Sequence, residues 1–135
     1  MREVGELLGV LTAVAFGFAI MNFVIKFVNR KWIMKLPKEN VWKQRYLSLM
    51  KFLIKNHRFF GFGAAILMVA HVVVQLIFAW VSVTGIITAA LAVVTVVLGV
   101  IMFQRKKSSK ALLWAHRSAV IALILAFLVH VITKI

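Results

Sequence analysis

Four stretches of the chain are apolar and nearly free of charge. Each is close to the ~20 residues an α-helix needs to cross a hydrocarbon core. They run from about Val4 to Val28, Arg58 to Trp80, Gly85 to Phe103 and Ala111 to Ile132. None alternates apolar with polar, and four spans are too few to close a β-barrel. The expected fold class is therefore all-α: an integral membrane four-helix bundle, with residues 1–135 forming one domain.

The polar positions gather between the spans. Asn29 to His57 carries Arg30, Lys31, Lys35, Lys38, Lys43, Arg45, Lys51 and Lys55. The connection between spans three and four is Gln104-Arg105-Lys106-Lys107-Ser108-Ser109-Lys110. The tight connection around Val81 to Thr84 has no charge. The N-terminus holds only Arg2, Glu3 and Glu6, and the C-terminus only Lys134. Basic loops stay on the cytoplasmic side, so both termini are expected outside. The inner (cell) membrane is the expected location.

The long basic loop has a pattern of its own. Asn40 suits a helix cap, and Glu39 suits a helix N-terminus. Trp42, Tyr46, Leu49, Met50 and Leu53 then fall on one helical stripe, with Lys43, Arg45, Lys51 and Lys55 mostly off it. Residues 40–56 thus read as a cytoplasmic amphipathic helix on an anionic leaflet. The alternative is a docking surface for an acidic soluble electron donor.

Composition narrows the class. The chain has 135 residues, 64% of them hydrophobic and 15% charged. A soluble domain of that size leaves too much surface exposed to hide so much apolar material. The net charge of +14, from 17 Lys/Arg against 3 acids, would suggest nucleic acid in a soluble protein. Here the cations lie between spans, so membrane topology explains them and no nucleic-acid partner is expected. There is no cysteine, which removes disulfides, iron–sulfur clusters on this chain and thiol catalysis. The first stretch is longer than a signal-peptide core and reads as a span.

The candidate chemistry lies in four histidines, His57, His71, His116 and His130, all in or at the mouth of spans two and four. Each span holds two, fourteen residues apart, and the first of each pair is followed by arginine: His57-Arg58 and His116-Arg117. Fourteen residues is two heptads. A helix drifts only about 20° per heptad, so both histidines stay near one face, about 21 Å apart along the axis. Spans two and four run in the same direction. His57 is therefore expected to pair with His116 on the cytoplasmic side, and His71 with His130 towards the outside. Two imidazoles from facing helices can supply both axial ligands of a haem iron, as helix bundles commonly do. With both positions filled the iron favours electron transfer over oxygen binding. The expected cofactors are two b haems, with a bound quinone as a further candidate. Zinc fits less well, because fourteen residues is too wide for one site and no acid or histidine stands at i+3 or i+4. A proton pathway, or polar contacts that only pack helices, are the remaining readings.

The segments HRFFGFGAAILMVAH and AHRSAVIALILAFLVH resemble the two ligand helices of membrane di-haem cytochromes b. That superfamily includes the cytochrome b of quinol–cytochrome c reductases and ferric-reductase-like transmembrane domains. Four spans with ligands on the second and fourth are similar to the first of these, over nearly the whole chain. The resemblance implies that His57, His71, His116 and His130 are axial ligands. It also draws attention to Gly85 and Gly99 on span three, again fourteen apart, while span one offers Gly5 and Ala19. The chain carries no flavin or nicotinamide domain and no longer second half.

Arg58 and Arg117 are candidate partners for haem propionates, because guanidinium pairs well with carboxylate. Lys107 and Lys110 could assist, as could Lys134 at the outer end; snorkelling to headgroups is the alternative role. Gln75, one turn beyond His71, is expected to hydrogen-bond between helices, with a quinone head group or haem edge as the functional alternative. Asn22 and Lys26 are the other polar residues of span one. The expected function is transmembrane electron transfer as a subunit of a quinone-linked respiratory or reductase complex. Other redox subunits would dock on the basic cytoplasmic face. A stand-alone quinol or ferric reductase, and a haem-free transporter or anchor, are the alternatives.

Overall fold

A computed structural model of the protein describes residues 2–105 and 109–133. Among these residues it is all-helical, with four long helices: α1 (Arg2–Lys31), α2 (Val41–Phe78), α3 (Val83–Gln104) and α4 (Lys110–Ile132). Each is long and apolar enough to cross a membrane, with mean hydropathy between 2.1 and 2.8 over its best window. The calls on Lys107 and Lys134 lie outside the described residues.

The helices start where side chains can take up their first N–H groups. Asn40 Oδ1 accepts from the amides of Trp42 and Lys43, at 2.9 and 3.2 Å. Ser82 Oγ accepts from Gly85 N at 3.1 Å, and Ser109 Oγ from Leu112 N at 3.1 Å. Between α1 and α2 the chain makes a short 3₁₀ turn, Ile33–Lys35. Lys43 Nζ donates to the Leu36 and Met34 carbonyls, at 2.6 and 3.3 Å, and ties that turn to α2. Helix α3 is rich in valine, isoleucine and threonine, which favour strands in water. It is helical because a hydrocarbon environment leaves the backbone no partners but its own. Two of its threonines satisfy themselves within the helix: Thr88 and Thr95 each donate to the carbonyl four residues back, at 2.8 Å.

Helix α2 departs from the sequence expectation. The amphipathic segment at 40–56 and the span from Arg58 are one unbroken helix of 38 residues. At 1.5 Å per residue it is about 57 Å long, nearly twice a ~30 Å hydrocarbon core. No glycine or proline falls between Asn40 and Gly61, so the change in hydropathy near His57 is not a helix boundary.

The chain divides into two compact units, Val10–Ala64 and Met1–Gly9 with Ala65–Ile135. In the first, α1 and α2 pack antiparallel. Phe18 and Phe60 stack at 5.3 Å, and Tyr46 Oη donates to the Ile25 carbonyl at 2.6 Å. Met21, Val24, Ile25, Val28, Tyr46 and Leu49 line an apolar groove there. The stripe read as lipid-facing thus spends part of itself on α1: Leu53 is buried, while Trp42 stays 73% exposed. In the second unit α3 and α4 pack against each other. His130 lies beside Thr84 and His116 beside Thr95, so the two helices run antiparallel.

Little is buried anywhere. Ile25, Leu53, Ala64 and Leu123 are the buried hydrophobic side chains among the described residues, and only 6% of each apolar window is covered. Leucine, valine, isoleucine and phenylalanine point outward along all four helices. In water that surface would aggregate; in lipid it needs no cover.

Candidate functional site

Three of the four histidines share one arrangement. His71, on α2, has its ring Nδ1 2.9 Å from the Gly5 carbonyl oxygen on α1. His116, on α4, has Nδ1 3.1 Å from the Thr95 carbonyl oxygen on α3. His130, on α4, has Nδ1 3.1 Å from Thr84 Oγ1 and 3.4 Å from Ser82 Oγ, at the start of α3. A carbonyl oxygen only accepts. His71 and His116 therefore carry a proton on Nδ1, and in the neutral ring Nε2 is the nitrogen with the lone pair. Metal-bound histidines are commonly oriented in this way, with the outer N–H held by a carbonyl or other acceptor.

A glycine stands at the edge of each of these rings. A Cβ added to Gly9 would come 3.2 Å from His71 Cε1, one on Gly85 3.1 Å from His130 Cε1, and one on Gly99 3.5 Å from His116 Cε1. The glycines let α1 and α3 come close enough for their backbone or first-turn groups to reach the imidazoles. Gly85 and Gly99 are the pair singled out by spacing. On α1 the residues used are Gly5, through its carbonyl, and Gly9. Ala19 has no place in this arrangement. Gly9 and the carbonyl acceptors escaped the sequence reading; only the hydroxyls of Ser82 and Thr84 leave a side-chain trace in the sequence.

His57 is half-buried on α2 within the Val10–Ala64 unit. Arg58, beside it, places its guanidinium 4.8 Å from the Phe59 ring centre. Arg117 places its guanidinium 5.7 Å from the Trp114 ring. Both arginines are exposed and spread over an aromatic face, the posture of cations at an interface. Lys110 is exposed at the first turn of α4. Gln75 reaches α1, where its Nε2 is 3.3 Å from the position of a Gly5 Cβ. Asn22 is half-buried on α1, with its Oδ1 buried and without a hydrogen-bond partner. Lys26 is exposed.

Among the described residues no three His, Asp or Glu side chains come together as a metal-binding group. A zinc centre made of protein ligands alone needs about that many. A haem iron takes most of its ligands from the porphyrin and asks the protein for two at most. Imidazoles held at Nδ1 fit that smaller demand. No family model, curated protein or solved structure matches the chain.

Proposed function

We propose that this protein is a b-type cytochrome of the inner membrane, binding two haems through four histidines and carrying electrons across the bilayer. The supporting observation is the shared setting of His71, His116 and His130. Each ring is held at Nδ1 by a neighbouring helix, beside a glycine, so Nε2 is the nitrogen that would meet an iron. The fourteen-residue repeat in the sequence supplies the pairing: His71 with His130 for the outer haem, His57 with His116 for the cytoplasmic one. Bound haem supplies one-electron chemistry at an iron closed to oxygen.

The chain's own residues supply the rest of the site. Gly5, Thr95 and Thr84 fix the imidazole orientations. Apolar helices exclude water. Arg58 and Arg117 are the proposed partners of the haem propionates, since guanidinium pairs well with carboxylate. The basic end of α1 and α2 faces the cytoplasm, where anionic lipid and a partner redox subunit meet it. A quinone is the proposed small-molecule partner. A complete quinol or ferric reductase acting at the outer haem is the alternative version of the same reading.

A second reading draws on the same contacts. Histidines that hydrogen-bond across helices beside glycines also describe simple helix packing in a haem-free anchor or transporter. The position of the outer pair favours it: His71 is seven residues before the end of α2, about 10 Å along the axis, whereas His130 meets the first turn of α3. Visible spectroscopy of protein purified from haem-replete membranes separates the two readings. The cytochrome gives low-spin b-haem bands that sharpen on reduction. A colourless protein leaves the packing role.

A further inference from the structure

His71 and His116 donate to backbone carbonyls, which no side-chain substitution removes. His130 differs, because its partners are hydroxyls. Ser82 Oγ is already engaged as the cap of α3, accepting from Gly85 N at 3.1 Å. Thr84 Oγ1 donates to that same oxygen at 3.3 Å. The lone pairs of Thr84 Oγ1 are therefore turned to His130 Nδ1, 3.1 Å away, while Ser82 Oγ is farther off at 3.4 Å. The chain of donors runs from His130 Nδ1–H to Thr84 Oγ1–H to Ser82 Oγ, and ends on a helix cap. Thr133, at the end of α4, lies 3.4 Å from Thr84 Oγ1 on the other side and donates to its own helix carbonyls.

We propose that Thr84 is a positioning residue that holds His130 with Nε2 unprotonated and sets the electron-donating strength of that imidazole. This rests on the reading of His130 as a haem ligand. An acceptor at Nδ1–H makes an imidazole more basic and favours the oxidised, more positive iron. A hydroxyl is a weaker and more adjustable acceptor than a carbonyl fixed in a helix. The haem on His130 is thus one whose potential a single side chain can move.

The test uses purified protein carrying haem, with Thr84→Val, Thr84→Ser and, as a control on the same helix, Thr88→Val. The Thr88 hydroxyl bonds only along α3, to the Thr84 carbonyl. Potentiometric titration resolves the haems, and transfer to an apo-globin reads how fast each is lost. The expected result is a higher midpoint potential for one haem in Thr84→Val. That haem should also be lost faster, by about 10–100-fold, the usual penalty for removing a group that orients a metal ligand. Thr84→Ser and Thr88→Val should resemble wild type. If Thr84→Val does not fold, Thr84→Ala replaces it with the same expectation. Potentials and loss rates unchanged in a haem-loaded Thr84→Val protein overturn the role of Thr84 while leaving the cytochrome intact. Wild-type protein without haem overturns both.

Discussion

Gly85→Ala is a sensitive probe of how closely α3 and α4 meet at His130. The added methyl would sit 3.0 Å from Ser82 Oγ and 3.1 Å from His130 Cε1. Comfortable carbon contacts lie at about 3.5–4.0 Å, so something must yield by roughly half an ångström. Neither neighbour is loose: Ser82 caps α3, and the His130 ring is held by Thr84. Forcing a methyl into such a place costs about 1–3 kcal/mol. Replacing glycine by alanine inside a helix returns at most about 1 kcal/mol, and less in the first turn, where Gly85 stands. The net expectation is a loss of about 1–2 kcal/mol. Gly99→Ala should behave differently, because its methyl meets His116 at an ordinary 3.5 Å. Gly61→Ala meets nothing within 4 Å and should be neutral or stabilising by up to about 1 kcal/mol. Unfolding in mixed detergent micelles, read by the tryptophans, gives the three values. If Gly85→Ala is as stable as Gly61→Ala, the contact between α3 and His130 is looser than these distances imply.

Three further substitutions probe other links in the chain. His71→Ala and His130→Ala should each remove one haem and spare the other, read as haem per chain and as the surviving reduced spectrum. Equal loss of both haems contradicts the pairing drawn from the fourteen-residue repeat. Asn40→Ala removes the acceptor for two amides at the start of α2 and should cost about 1 kcal/mol. Hydrogen exchange of Trp42 and Lys43 should quicken, with Asn40→Asp close to wild type. Unchanged exchange would show that water serves those amides equally well.

The four helices were legible because lipid imposes one simple demand, an uninterrupted apolar run of sufficient length. The start of α2 was legible in its capping side chain, Asn40, whereas Ser82 and Ser109, which cap α3 and α4, were not singled out. The continuity of α2 was not. Lys51, Lys55 and His57-Arg58 mark where the apolar run stops, but a helix continues through charge as readily as through leucine. The apolar stripe from Trp42 to Leu53 looked like a membrane-facing surface because sequence shows a face without showing what covers it, and α1 covers part of it. At the candidate site the repeat of histidines and the glycines at 85 and 99 were visible as spacing. The Gly5 and Thr95 carbonyls that hold His71 and His116 were not, since every residue has a carbonyl. Gly9 was missed for a related reason: it lies one turn from Gly5, off the fourteen-residue interval of the histidines.

The role of Thr84 also changes how the two ends of the molecule compare. On the His116 side the acceptor is built into a helix backbone. On the His130 side it is a hydroxyl at a helix start, close to the end of the apolar segment. The two ends therefore offer different means of tuning an imidazole, although the sequence repeat makes them look alike.

The proposed grip of the His57, His71, His116 and His130 imidazoles on iron porphyrin decides the function. It is tested most directly by counting haem in the wild-type protein, as pyridine haemochrome per chain, after purification from cells supplied with haem. Two haems per chain, low-spin in both oxidation states, is the result this account requires. A folded, helical protein that carries none would contradict it and leave the histidines as struts between helices.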